Sequence, residues 1–420
     1  MRANESIPNY DIKVREYTNY AIKSIKNVVK QFGPRPVGSE AETEAQAYMK
    51  ADLDKFCDET AREEFKVSDK AFMAWVPLGA ALLIVSVACY TLGLAVVGLA
   101  LTALALFFIV GEFVLYKPVL DVFFPKKTSG NVVGVRKAAG ETKRRIIVGG
   151  HTDSAFEWTY TYKGGRPAVA GIIGTAVVAV LLSLGGNIYC MIHAKAVFGG
   201  IVWGDAGNLA LRIIAVLLYL CVPVLIAAFR FCNFKRPVPG ANDDLTGVFI
   251  SCAVSKFLSD NDIRFENTEV VTLCTGGEEA GLRGAKAYAK AHAADFKAEK
   301  DVQTVFVGFD TICELDYAMI YDKDMTGVVK NDRRVAELLQ TAAKNVGYDV
   351  PIGAIPLGST DAAAMSQAGL AAASIVAMDP TPARYYHTRL DDLDKLSPQA
   401  IDAGVKIALE TVFLFDEKGI

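Results

Sequence analysis

The run AFMAWVPLGAALLIVSVACYTLGLAVVGLALTALALFFIVG, from Ala71 to Gly111, contains no charged residue. As one helix at 1.5 Å per residue it would be about 60 Å long, roughly twice the hydrocarbon thickness of a bilayer. The sequence therefore predicts two spans with a turn around YTLG, residues 90–93. A third uncharged run covers Pro167–Ile192, and a fourth apolar stretch covers 208–229 with Arg212 near its start. Each is long enough to cross a bilayer. The alternative, core helices of a large soluble protein, fits poorly, because four such blocks, two of them fused without a charge, are hard to bury. Hydrophobic residues make up 52% of the chain while 22% are charged, so the apolar excess is concentrated in blocks.

The spans are expected as two transmembrane helical hairpins, 71–116 and 167–229, which leave everything else on one side of the membrane. The flanks on that side carry Lys66, Lys70, Lys117, Lys126, Lys127, Lys163, Arg166, Arg230, Lys235 and Arg236; the other side offers only Lys195, in the loop 193–207. The positive-inside rule then makes the chain an integral protein of the cell membrane with its polar part in the cytoplasm. Glu112 and Arg212 are expected at helix ends with their charges snorkelling to water. The first 70 residues are charged and helix-patterned, without the layout of a cleavable signal peptide. Eight cysteines show no CxxC pair, which fits a reducing compartment better than a disulfide framework. A net charge of −3 gives no sign of a nucleic-acid partner.

Without the hairpins, residues 1–70, 117–166 and 230–420 remain as one discontinuous domain. Strand-like stretches (131–137, 144–150, 269–277, 302–310, 317–322, 371–378) alternate with helical ones (247–261, 280–292, 331–346, 361–368, 398–416). This predicts an α/β fold with a mixed, mainly parallel sheet flanked by helices. Ligand sites of such sheets lie beyond the carboxyl ends of the strands. His151 and Asp153, Glu278 and Glu279, Asp310, and Asp379 all fall there.

Five stretches concentrate this chemistry: GGHTDS (149–154), PGANDDLTG (239–247), GGEEAGLRGA (276–285), VGFDTI (307–312) and RYYHTRLDD (384–392). Singly each is weak, since a lone HxD is more often a loop histidine and paired acids are more often solvated. Together and in this order they resemble the co-catalytic di-zinc aminopeptidases of metallopeptidase family twenty-eight, clan MH. The resemblance covers the polar remainder and implies a zinc-exopeptidase-like fold into which the four spans are inserted. It also implies that His151 and Asp310 ligate one metal ion, that Glu279 and His387 ligate another, and that Asp243 bridges them. Imidazole and carboxylate donors suit two Zn²⁺, with Co²⁺ or Mn²⁺ as ions the same donors accept. Asp153 is then the carboxylate that fixes the His151 tautomer, Glu278 the general base toward a metal-activated water, and Tyr386 a hydrogen-bond donor to the oxyanion. Asp391 is expected either to orient the His387 loop or, like Asp394, to cap a helix. The segment GSTDAAAMSQAG (358–369) resembles the family's substrate-pocket lining, which makes Ser359, Thr360 and Asp361 candidates for substrate binding. The family more often has Asp–His where this chain has Thr360–Asp361, a departure that bears on substrate preference.

The expected function is a membrane-embedded di-zinc metallo-aminopeptidase that removes N-terminal residues from peptides, with the lipid bilayer as its second partner and a homodimer through the spans compatible with the sequence. One alternative is a carboxypeptidase- or glutaminyl-cyclase-like member of the clan; the cyclases commonly lack the first histidine ligand, which is present here as His151. Another is a non-catalytic membrane scaffold or transporter component with a degenerate peptidase fold, which would have eroded ligand positions. His151 and Asp243 flank the second hairpin in sequence, and because a hairpin returns on the side it left, the two can still meet.

Overall fold

The computed structural model describes residues 2–193, 208–381 and 383–420. The chain divides into two compact units, Met1–Asp69 with Lys126–Phe156 and Lys235–Ile420, and Lys70–Pro125 with Glu157–Phe234. The described helices are α1 (Tyr10–Phe32), α2 (Glu40–Leu53), α3 (Trp75–Thr91), α4 (Ala95–Phe108), α5 (Thr159–His193), α6 (Leu209–Ala228), α7 (Leu245–Asp260), α8 (Arg283–Ala291), α9 (Ala293–Ala298), α10 (Arg333–Asn345), α11 (Asp361–Gln367) and α12 (Pro398–Lys418). The strands are β1 (Glu59–Val67), β2 (Lys127–Arg136), β3 (Arg144–His151), β4 (Phe156–Trp158), β5 (Cys232–Pro237), β6 (Thr268–Thr275), β7 (Gln303–Ile312), β8 (Ala318–Asp324), β9 (Val329–Lys330), β10 (Ile352–Ala354) and β11 (Ala371–Ala377).

The first unit is built on a nine-stranded mixed sheet in the order β1-β2-β6-β3-β7-β11-β8-β10, with β9 beside β8. Its centre, β6-β3-β7-β11, is parallel. Consecutive residues of β3, Ile146, Ile147 and Val148, are all buried. Since successive side chains point to opposite faces, both faces of the sheet are covered, and the strand reads as a continuous apolar run. Helix α7 packs on β3, β6 and β7 and against α1 and α12, while α11 packs on β7 and β11. Thirteen of the residues of α7, from Leu245 to Leu258, are buried, so this helix is central to the core. The edge strand β1 was not expected, because ETAREEFKV is charged and lies in helix-patterned sequence. It pairs antiparallel with β2 over its whole length, and its alternation of exposed and covered residues suits a strand with one wet face.

Among the described residues, the second unit holds four helical stretches long and apolar enough to cross a membrane: Phe72–Thr91, Ala95–Val114, Thr159–His193 and Leu209–Ala228. The third begins before its uncharged run. Its first turns are charged, and the left-handed Gly165 (φ 58°), two residues before Pro167, separates them from the apolar helix. The stretch 194–207, with Lys195, lies outside the described residues. A polar seam joins three of the helices. Ser86 Oγ donates to the Gly98 carbonyl (2.8 Å) and pairs with Thr102 Oγ1, and Asn187 Nδ2 donates to the Ser183 carbonyl. A Cβ at Gly98 would come within 2.5 Å of the Asn187 side chain, the close approach that small residues permit between apolar helices. Arg212 is near the start of α6 and half-buried. Glu112 corrects the expectation of a snorkelling charge: it is fully buried, and its Oε1 accepts a hydrogen bond from the Leu120 N–H at 2.5 Å.

Candidate metal centre

The four parallel strands deliver the site from their carboxyl ends. His151 is the last residue of β3, Glu278 and Glu279 follow β6, Asp310 is near the end of β7, and His387 lies in the loop after β11. Register keeps these ends level, with His151 opposite Thr275 of β6 and Asp310 opposite Val376 of β11. Asp243 arrives on the turn before α7, and the Asp243–Asp244 peptide is cis. Asp244 Oδ1 accepts from Gly247 N (2.9 Å), capping that helix, and from Thr311 N (3.1 Å). Its Oδ2 accepts from His151 N (3.0 Å). This one buried carboxylate thus fixes the main chain at His151 and beside Asp310.

The side chains converge. His151 Nε2 lies 3.1 Å from Asp243 Oδ1, while His387 Nε2 lies 3.2 Å from Asp243 Oδ2 and 3.1 Å from Glu279 Oε1. Each oxygen of Asp243 therefore faces a different imidazole. Ligand atoms of His151, Asp243 and Asp310 lie within 4.8 Å of one another, as do those of Asp243, Glu279 and His387, and those of His151, Glu278 and Glu279. Asp243 Oδ2 and Glu279 Oε1 are buried and make no well-aligned hydrogen bond, with His387 Nε2 at ion-pair distance from both. Buried carboxylate oxygens without aligned donors are costly, and two nitrogen-and-oxygen triplets sharing one carboxylate are a donor set that fits a pair of divalent ions.

Around these groups lies a frame that the sequence disclosed only in part. His151 Nδ1 is 3.1 Å from the Asp153 carbonyl and 3.6 Å from its carboxylate, so the Nδ1–H donates to the main-chain carbonyl of Asp153. The Asp153 carboxylate accepts instead from the main-chain N–H groups of Glu278 and Glu279, both at 3.1 Å. Asp391 caps nothing. Its Oδ1 accepts from Asn242 N (2.9 Å) and Asn242 Nδ2 (2.7 Å), and its Oδ2 accepts from Asp243 N (3.1 Å). It thereby ties the His387 loop to the turn carrying Asp243, while Asp392 caps the next turn. Arg35 is fully buried; its guanidinium donates to the carbonyls of Gly33, Thr152, Pro239 and Gly240, and its N–H to Ser154 Oγ. It joins the loop after β3 to the turn before α7, which are the two halves separated in sequence by the second hairpin. Only the turn chemistry of GPRPVGSE marks this region in the sequence.

The segment expected to line a substrate pocket turns inward. Ser359 Oγ, Thr360 N and Thr360 Oγ1 all donate to buried Asp324. Asp361 accepts from Thr275 Oγ1 and borders a cavity of about 10 Å³ shared with His151, Asp244 and Asp310. Asp361 thus belongs to the floor of the centre, and the hydroxyls of Ser359 and Thr360 hold Asp324. Tyr386 stacks on His387, with ring centroids 3.8 Å apart. Desolvation and the carboxylates of Asp243, Glu279, Glu278 and Asp310 raise its phenol well above the usual range, as expected for a ring that faces the acids.

Desolvation likewise holds the Glu278 carboxyl well above the ordinary range; His151 opposes this, and Glu279, Asp361 and Asp310 add to it. Desolvation pushes Asp310 up to about 7 against the pull of His151. For His387, desolvation lowers the pKa, but Glu279 and Asp243 outweigh it and leave the imidazole at about 10. In the unfolded chain these groups titrate near 4 and 6.5. Between roughly pH 4 and 10 the folded, metal-free chain thus binds more protons than the unfolded one, and its stability falls as pH rises. Metal ions displace these protons, so their stabilising effect grows with pH. Chelated protein is expected to show a Tm that falls from about pH 5 to about pH 9, with an increment on adding Zn²⁺ that increases over the same range. A flat Tm with a constant increment would contradict this.

Residues 228–412, which include Asp243, Glu278, Glu279, Asp310, Tyr386 and His387, match peptidase family M28. No curated protein matches the chain by sequence. Among solved structures, the fold is similar to an aminopeptidase from Aneurinibacillus sp. strain AM-1 (15% identity, TM-score 0.54, 94% of this chain and 93% of that one). It is also similar to BSAP, a zinc aminopeptidase from Bacillus subtilis (13%, 0.56, 94% and 95%). A third similar structure is a glutaminyl cyclase from an Acidobacteriales bacterium (14%, 0.55, 96% of each). Residues 228–412 are thus similar to peptidase family M28, and they belong to a unit whose sequence is interrupted by segments carrying four apolar helices long enough to cross a membrane.

Proposed function

We propose that this chain is a membrane-embedded di-zinc aminopeptidase whose catalytic domain faces the cytoplasm and removes N-terminal residues from peptides. The observation that carries the reading is the pair of donor triplets sharing Asp243, one with His151 and Asp310, the other with Glu279 and His387. These residues would hold two zinc ions, which would supply the chemistry of an acidified water and a polarised scissile carbonyl. Glu278 belongs to neither of those two triplets. Its main chain is fixed by Asp153, its carboxylate lies 4.0 Å from His151 Nε2, and its raised pKa suits a group that takes a proton from water and returns it to the leaving amine. The Tyr386 phenol, held against His387 and kept protonated, donates to the oxyanion formed on the substrate. Asp153, Asp391, Asp244 and Arg35 position these groups through the main chain.

The four apolar helices and the excess of Lys and Arg on the flanks of the polar part support the membrane assignment and the cytoplasmic orientation. A cyclase is the second reading, because a glutaminyl cyclase shares the fold. The presence of His151 against Asp243 favours the peptidase. The aminopeptidase reading is tested with a peptide and its N-acetylated twin. Chelator-sensitive cleavage of the free-amine peptide alone is expected, and cleavage of the blocked twin alone would overturn it.

A further inference from the structure

Outside the four apolar helices, the two most exposed large apolar side chains among the described residues are neighbours, Val122 at 76% and Phe123 at 74%. Single exposed apolar residues are ordinary, but these two are adjacent and held out by a folded segment. They occupy one 3-10 turn, Asp121–Phe123, shortly after the π-helical end Ile109–Val114 of the second apolar helix. The segment folds back on that helix end. Leu120 N–H donates to the buried Glu112 carboxylate, Lys117 N–H donates to the Gly111 carbonyl (2.8 Å), and a Cβ at Gly111 would come within 2.8 Å of Val119. Glu112 is therefore the knot that points the turn outward.

The surroundings suit a lipid interface. Phe72 and Trp75, at the start of the first apolar helix, meet Tyr116 and Phe113, at the end of the second: Phe72–Tyr116 centroids are 4.8 Å apart and Trp75–Phe113 centroids 5.3 Å. Aromatic clusters at the ends of spans mark the head-group level. Lys117 is exposed beside this cluster, and Lys126 follows the turn in sequence.

We propose that Val122 and Phe123 form a wedge inserted into the head-group region of the same bilayer that holds the hairpin, with Lys117 at the level of the lipid phosphates. The proposal rests on the membrane reading given under Proposed function. Continuity with an apolar helix end, the aromatic cluster and the adjacent cation make lipid the occupant, rather than another protein. The wedge fixes the depth of the hairpin through a rigid, hydrogen-bonded turn.

The test reconstitutes full-length Phe123→Trp and wild-type protein in phosphatidylcholine–phosphatidylglycerol vesicles. The acyl chains carry bromine either near the head group or near the bilayer centre. Because the chain has three native tryptophans, the difference between variant and wild-type emission isolates position 123. The expected difference spectrum is blue-shifted from that of water-exposed tryptophan and quenched more strongly by the shallow bromines. Emission typical of water, unquenched by either lipid, overturns the wedge, as does stronger quenching by the deep bromines. Alkaline carbonate extraction is run on the same vesicles. If the protein stays in the membrane while position 123 remains in water, the wedge alone fails; if carbonate releases the protein, the membrane reading itself fails.

Discussion

Glu278→Gln is expected to lower kcat on a free-amine peptide by a factor of about 10²–10⁴, the usual contribution of a positioned proton-transfer group, while two metal ions remain bound and KM changes little. The substitution keeps the size of the side chain and removes its basicity. Neither triplet that shares Asp243 uses Glu278, and its main-chain N–H remains bonded to Asp153, so the frame is undisturbed. Steady-state kinetics and metal analysis on the same preparation check both halves. A variant that keeps its kcat removes Glu278 from the chemistry. One that loses metal in step with activity makes it a ligand, the role in which its proximity to His151 and Glu279 would then have to be understood.

Asp243→Ala is expected to have the larger effect on metal content, taking both ions rather than one. Its Oδ1 faces His151 and its Oδ2 faces His387, so both donor sets lose a member and two imidazoles lose the carboxylate that lies between them. Loss of an outer partner of a ligand costs about 10–100-fold in metal affinity, and loss of a ligand common to two sites exceeds that at both. Asp391→Ala supplies the graded comparison. It leaves every donor in place but removes the carboxylate that holds the Asn242 and Asp243 main chain, so a fall of about 10–100-fold without complete loss is expected. Titration with Zn²⁺ after chelation separates the three proteins. If Asp243→Ala retained one tightly bound ion, Asp243 would belong to a single site.

The parts of this molecule that were legible in sequence are those in which one local pattern has one physical solution. The uncharged run from Ala71 to Gly111 admits only a hairpin, and the continuous apolar β3, ending in glycines and His151, reads as a central parallel strand whose end carries a ligand-binding residue. That His151, Asp243, Glu279, Asp310 and His387 cluster was legible because their types and order resemble a family pattern. What was not legible depends on contacts between distant segments. Nothing in GPRPVGSE announces that Arg35 will bond four carbonyls, since a buried guanidinium without a carboxylate partner has no sequence signature. Asp391 orients the His387 loop, one of the two roles the sequence allows, and it does so through the main chain of Asn242 and Asp243; Asp153 lies beside His151 as the resemblance implies but also accepts from the main-chain N–H groups of Glu278 and Glu279, partners only the folded backbone reveals. Glu112 reads in sequence as a helix-end charge that snorkels to water, whereas in the fold it is buried and accepts from a main-chain N–H eight residues on. The strand β1 was missed because a charged, half-wet edge strand resembles a surface helix in composition.

Hydrolysis of an N-terminal peptide bond is the central proposal, and a single product measurement separates it from the chemistry of a glutaminyl cyclase of similar fold. Purified full-length protein loaded with Zn²⁺ is incubated with a peptide that begins with Gln, and the products are resolved by mass spectrometry, with a chelated sample alongside. Free glutamine and a peptide shorter by that residue are expected, formed only in the metal-loaded sample. A product of full length that has lost only ammonia, or no reaction with this or any other free-amine peptide, would contradict it.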